Sequence, residues 1–233
     1  MERLLNLQIP GKHGRPIVLD VYFQADGRPK PVVVFSHGFK GFKDWGHWHL
    51  VAEAFAGRGF VFVKFNFSHN GTRPENLTEF VDLEAFGNNN FSIELDDLGA
   101  VMDYITGEEA PVPREERQPE QLYLIGHSRG GGITILKARE DKRVKKIATW
   151  ASVSEFGKYW TEEVVKEWQE KGVVYVVNAR TGQQMPLYRQ LYEDFQRNRD
   201  RLDIPAAVKS LTIPFLIVHG TADEAVPYAD AVE

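Results

Sequence analysis

The chain has 233 residues, 42% hydrophobic and 26% charged, and its 28 basic and 33 acidic side chains leave a formal net charge of −5. This is globular material for one α/β-sized domain or two small ones, and the acidic balance counts against a nucleic-acid partner held by net charge. The absence of cysteine excludes disulfide scaffolds, thiol nucleophiles and cysteine zinc sites; with no apolar run near the roughly 18 residues of a membrane span and no signal-peptide core in Met1–Gly14, a soluble, cytoplasmic protein without a membrane partner is expected.

In chain order, Leu4–Ile9 and Ile17–Phe23 flank the turn signal Pro10-Gly11-Lys12-His13-Gly14 and suggest an antiparallel hairpin at a sheet edge. Val32–Phe35 is the first near-continuous apolar run. Asp44 is positioned to cap a helix through Ala52, Ala54, Phe55 and Ala56, which Gly57 and Gly59 would end. Phe60–Phe67 is a second apolar run. Ile93–Ile105 then places Leu98, Val101, Met102 and Ile105 on one helical face, with Gly107 as the stop. Leu122–Ile125, a helix from just after Ser128 to about Arg139, Ile147–Ala151 and Phe215–Val218 complete the alternation. Five runs that are near-continuously apolar, rather than apolar at every second residue, are the pattern of strands covered on both faces. The alternation predicts a doubly wound, mostly parallel α/β sheet with its site at the carboxyl ends of the strands.

Residues 152–211 break the rhythm. They carry an amphipathic helix near Thr161–Lys171, the run Val173–Val177, a turn around Arg180-Thr181-Gly182 and a charged helical stretch near Leu187–Arg201. The segment is too long for a simple loop and too short for its own core, so it is expected to be a cap or lid inserted into a single domain spanning 1–233. An ordinary crossover helix with decorations is the alternative.

Three segments carry chemistry. Leu122–Gly132 contains Gly126-His127-Ser128-Arg129-Gly130, a Gly-x-Ser-x-Gly between a strand and a helix. A serine on such a turn holds its hydroxyl outward, and the glycines let backbone approach without a Cβ clash. The helix starting there aims N–H groups at developing negative charge. Without chemistry, the same residues would make a Gly-rich turn. Upstream, Phe35-Ser36-His37-Gly38-Phe39 ends a strand so that the loop can bend toward the serine, offering the N–H of Phe39 beside that of Arg129 as oxyanion donors. Downstream, Phe215–Pro227 leaves a strand into a turn containing Asp223, with Glu224 and Asp230 as rival acids.

Together these segments resemble the α/β-hydrolase superfamily, and within it the compact dienelactone-hydrolase, feruloyl-esterase and acyl-peptidase-like groups. The resemblance covers the chain from about residue 15 onward. It implies Ser128 as nucleophile, Asp223 as the acid of a triad, the N–H groups of Phe39 and Arg129 as the oxyanion hole, a small-molecule ester as substrate, and no cofactor or metal.

One departure stands out. The superfamily order is Ser, Asp, His, which would put the histidine roughly 25 to 35 residues beyond Asp223, given the usual length of one more helix and strand. Glu233 is reached first. Of the seven histidines, His37 and His219 sit in His-Gly pairs suited to bracing loops. His127 points away from its neighbour Ser128, His47 and His49 face different sides of a helix, and His13 lies in the edge turn. Only His69, after the strand ending at Phe67, is worth testing as a base. The expectation is a C-terminally truncated serine esterase lacking its last strand–helix unit. Its ester turnover would be very low, and the open edge at Phe215–Val218 would promote self-association. Peptide or amide hydrolysis, acyl transfer, or a non-catalytic binding protein of the same fold remain alternatives.

Overall fold

The computed structural model describes residues 1–158 and 160–232. Strands β1 (Glu2–Pro10), β2 (Pro16–Phe23), β3 (Lys30–Ser36), β4 (Val61–Asn66), β5 (Arg117–His127), β6 (Val144–Trp150) and β9 (Phe215–Val218) form a seven-stranded sheet in the order β1-β2-β4-β3-β5-β6-β9. The first two pairings are antiparallel and the other four parallel. The expected hairpin is therefore present, with β1 at the edge and β2 inside. After β3 the chain turns outward to β4, then returns to build β5, β6 and β9 on the other side. That reversal between β3 and β5 opens a crevice at their carboxyl ends, where α/β sheets bind ligands.

The strand pleat explains the two cores. Val32, Val34, Leu122 and Leu124 face helices α3 (Phe91–Thr106) and α4 (Arg129–Glu140). Val33, Phe35, Phe62 and Ile125 face α1 (Trp48–Gly57), where Ala52 and Ala56 are fully buried. Helix α3 starts two residues earlier than its apolar spacing suggests, because Asn90 accepts a hydrogen bond from the N–H of Ile93 as N-cap.

Asp44 does not cap α1. That helix begins four residues later, after His47, and has no side-chain cap. Asp44 instead joins a buried charge cluster. Lys64 sits on β4 directly across from Asp20 on β2, and its Nζ lies 2.6 Å from Asp20 Oδ2 and 2.5 Å from Asp44 Oδ1. Lys43 Nζ bridges the same two carboxylates at 2.9 and 2.7 Å. Burial alone would lower the Lys64 pKa; Asp20 and Asp44 outweigh it and leave it raised.

Residues 152–211 contain α5 (Glu162–Lys171), a hairpin of β7 (Val173–Val177) and β8 (Gln184–Tyr188), α6 (Gln190–Arg197) and α7 (Ile204–Ser210). The single helix expected over 187–201 is corrected: its start is the end of β8, and only its middle, after Arg189, is helical. The hairpin docks on residues 80–90, which hold the short helix α2 (Leu83–Gly87). Gln183 Nε2 donates to Phe80 O, and Gln190 Nε2 donates to Gly87 O and Asn89 O. Thr161 caps α5, and Trp168, fully buried, donates its indole N–H to Leu187 O.

Strand β9 departs from the pattern of strands buried on both faces. Among the described residues it pairs only with β6, and Leu216, Ile217 and Val218 are about half exposed. An apolar groove of about 440 Å³ beside it is lined by Phe55, Tyr123, Ala148, Trp150 and Leu216. No helix among the described residues is long and apolar enough to cross a membrane.

Candidate active site

Ser128 lies between the last residue of β5 and the first of α4, with φ 54° and ψ −123°. A non-glycine residue in this conformation is strained, and the surroundings hold it there. Its N–H donates to Trp150 O on β6 at 2.9 Å, and Gly131 N–H donates to its carbonyl at 2.9 Å. The flanking glycines are required by contact. A Cβ on Gly126 would stand 2.2 Å from Gly130 O, and one on Gly130 would stand 2.4 Å from His37 O. The half-buried Ser128 side chain makes no capping bond to α4, so the hydroxyl is not committed to the helix.

The loop after β3 closes on this turn. Ser36 pairs with Gly126 in the parallel register, which sets residues 37–39 beside 127–129. Gly41 N–H donates to Gly38 O at 3.1 Å, with Lys40 between them at φ 53°. His37 braces the loop as expected: Nδ1 lies 2.9 Å from Gly38 O, and Phe67 N–H donates to Nε2. Burial lowers the pKa of this ring to about 4, so it is neutral at pH 7, with the Nδ1–H tautomer matching both contacts. The N–H of Arg129, in the first turn of α4, has no intrahelical acceptor and lies at the positive end of the helix dipole.

Asp223 reaches the same end of the sheet by register. His127, Trp150 and Val218 stand in one row across β5, β6 and β9, and the turn after Val218 carries Asp223. Its Oδ1 accepts from the N–H groups of Ala225 and Val226, both at 2.9 Å. These bonds lower its pKa, with smaller contributions from His219 and His127. Asp223 is therefore anionic at pH 7 and within electrostatic reach of the residue preceding Ser128. Asp230, the rival acid, is instead held by Ser154 N–H and Lys158.

Among the described residues no histidine ring hydrogen-bonds to Ser128. His69, the internal candidate, places Nδ1 2.8 Å from Ser68 Oγ, and burial lowers its pKa to about 4. His219 Nε2 bonds Val226 O, His13 pairs with Asp96, and His127 lies against Trp48 on the α1 side. Phe42 and Trp48 pack inward, against Phe80 and against Phe35 and Trp150, whereas Trp45 is exposed.

Sequence reasoning missed Glu94. It is buried, paired with the Arg129 guanidinium, and accepts from Asn89 Nδ2 at 2.7 Å. A signal was present: Glu94 precedes Leu98 by four residues and so falls on the apolar face of α3, where a carboxylate needs a partner.

No protein-family profile matches the chain, and no curated protein does. Solved structures do. The chain superposes on Est1E from Butyrivibrio proteoclasticus with bound ferulic acid at a TM-score of 0.72 and 20% identity, covering 97% of this chain and 83% of that one. This chain has the α/β-hydrolase fold. The esterase domain of a Rhodothermus marinus protein gives a TM-score of 0.63 at 18% identity, over 100% of this chain and 82% of that one. Alpha/beta hydrolase GrgF from Penicillium sp. sh18 gives 0.67 at 16%, over 100% and 84%. Ser128 follows β5 and the 37–41 loop follows its neighbour β3, one on each side of the crevice.

Proposed function

We propose that the protein is a serine hydrolase that cleaves carboxylic esters. The observation carrying this reading is the Ser128 turn: a serine whose backbone is held at positive φ between β5 and α4 at the β3/β5 crevice, with Gly38 of the facing loop packed against its Cβ. In the proposed reaction Ser128 Oγ attacks the acyl carbonyl carbon while a histidine takes its proton. The N–H groups of Phe39 and Arg129 hold the oxyanion of the tetrahedral intermediate. Collapse expels the alcohol, which receives that proton, and water then releases the acid and restores Ser128. Asp223 fixes the tautomer of the histidine through its Nδ1–H. No described histidine ring hydrogen-bonds to Ser128, so the reading leaves the base unassigned, and residues 152–211 serve as the cap over the acyl site. The ferulic acid bound by Est1E makes aromatic acyl esters the first substrates to try.

The engaged histidines also favour a second reading, a non-catalytic binding protein. Fluorophosphonate labelling of the full natural chain separates the two. Labelling that disappears in Ser128→Ala supports the hydrolase; an unlabelled wild type supports the binder.

A further inference from the structure

The Arg129 guanidinium lies 4.6 Å from the ring centre of Phe39 and 5.7 Å from that of Phe91, with the Glu94 carboxylate as its charge partner. Phe91 and Glu94 are one turn apart on α3, so a single helical face supplies both the stacking surface and the counter-charge. Phe39 comes from the other side of the crevice, on the loop after β3. One planar cation thus spans the two segments whose amide groups are assigned to the oxyanion.

The arrangement is costly. Glu94 is almost fully buried, its Oε2 has no hydrogen-bond partner, and burial pushes its pKa up against the pull of Arg129. A buried ion pair with an unsatisfied oxygen adds little stability over an apolar pair of similar volume. It does impose geometry, because the guanidinium that pairs with Glu94 also lies over the Phe39 ring.

We propose that Glu94 is a positioning residue which, through the Arg129 side chain, fixes the distance between the Phe39 and Arg129 amide groups. This rests on the serine-hydrolase reading. The test compares hydrolysis of p-nitrophenyl acetate with that of its thionoester by the full natural chain, because a sulfur anion draws little from an oxyanion hole. Glu94→Gln and Arg129→Met are expected to lower kcat on the oxo-ester about 10-fold or more with KM within 2-fold, a fraction of the loss of one donor. Thionoester turnover should change little, so the oxo-to-thiono ratio falls. The double variant should be no worse than the poorer single, since both break one linkage.

An unchanged ratio, or equal losses on both substrates, overturns the proposal. If Glu94→Gln does not fold, Phe39→Leu, which keeps the amide and removes the ring, must lower the same ratio or the proposal falls. A wild type with no Ser128-dependent turnover sinks the underlying hydrolase reading instead.

Discussion

A Cβ placed on Gly38 would stand 2.9 Å from the Cβ of Ser128 and 3.2 Å from the carbonyl oxygen of His127. The two turns touch through backbone, which is how residues 39 and 129 come to flank one crevice. Gly38→Ala must push them apart. Fluorophosphonate labelling of Ser128 in the full natural chain should slow by about 10–100-fold, the usual penalty for ångström-scale misplacement of reacting groups. A rate within 2-fold of wild type would show that the loop does not serve Ser128.

The left-handed backbone at Ser128 stores strain that glycine does not feel. Ser128→Gly should therefore be more stable than Ser128→Ala by about 1 kcal/mol, after allowing for the greater chain entropy of glycine when unfolded. Urea melts of the two variants measure this directly. Equal midpoints would mean that the turn is unstrained.

Asp97 on α3 gives a pH signature. It is buried, its Oδ2 accepts from Ser68 N–H at 2.7 Å, and its Oδ1 has no partner. Burial is the main cause that raises its pKa to about 7, with Glu94 adding to the rise. The unfolded carboxyl titrates near 3.8, so between pH 4 and 7 the folded state binds the extra proton. Stability from this group is then full below pH 4 and is lost as pH rises to 7, by at most on the order of 4 kcal/mol. His37 and His69, both lowered to about 4 by burial, act with opposite sign, adding stability as pH rises from 4 to 6.5. The difference between Asp97→Asn and wild type isolates the carboxyl: the variant should gain on wild type from pH 4 to pH 7 and level off above that. A difference independent of pH would refute the assignment.

The cluster of Asp20, Lys43, Asp44 and Lys64 predicts strong asymmetry between breaking and replacing it. Asp20→Asn leaves two buried ammonium groups sharing Asp44, and should cost about 3–5 kcal/mol in chemical denaturation. Replacing the cross-strand pair outright, as Asp20→Leu with Lys64→Met, should cost less than Asp20→Asn alone. The reverse order would mean that the charges are solvated.

Among the described residues β9 pairs on one side only, so self-association of the 233-residue chain through that edge, beside exposed Leu216, Ile217 and Val218, is expected to grow with concentration. Ile217→Lys should shift sedimentation toward monomer. A wild type that stays monomeric at high concentration would count against the edge as an association surface.

Apolar runs, turn signals and glycine punctuation determined the doubly wound sheet, the edge hairpin and the Ser128 turn from sequence alone. Each follows from local rules: strands buried on both faces read as unbroken apolar runs, and a strand–Gly-x-Ser-x-Gly–helix succession leaves the backbone few alternatives. The tertiary structure alone decided what charged side chains do. Asp44 looked like a helix cap, yet Lys43 and Lys64 draw it into a buried cluster, since two cations inside the fold need it more than α1 does. Glu94 and Asp97 lie on the same apolar face of α3, but Arg129 reaches one while the other meets the uncharged Ser68, which leaves one an ion pair and the other an acid titrating near neutrality. Strand β8 escaped notice because its Pro186 argues against a strand except at a sheet edge, which is where β8 lies in its two-stranded sheet. Periodicity is written in neighbouring residues, whereas Lys64 reaches Asp44 over 20 positions and Arg129 reaches Glu94 over 35, pairings that only the folded chain brings together.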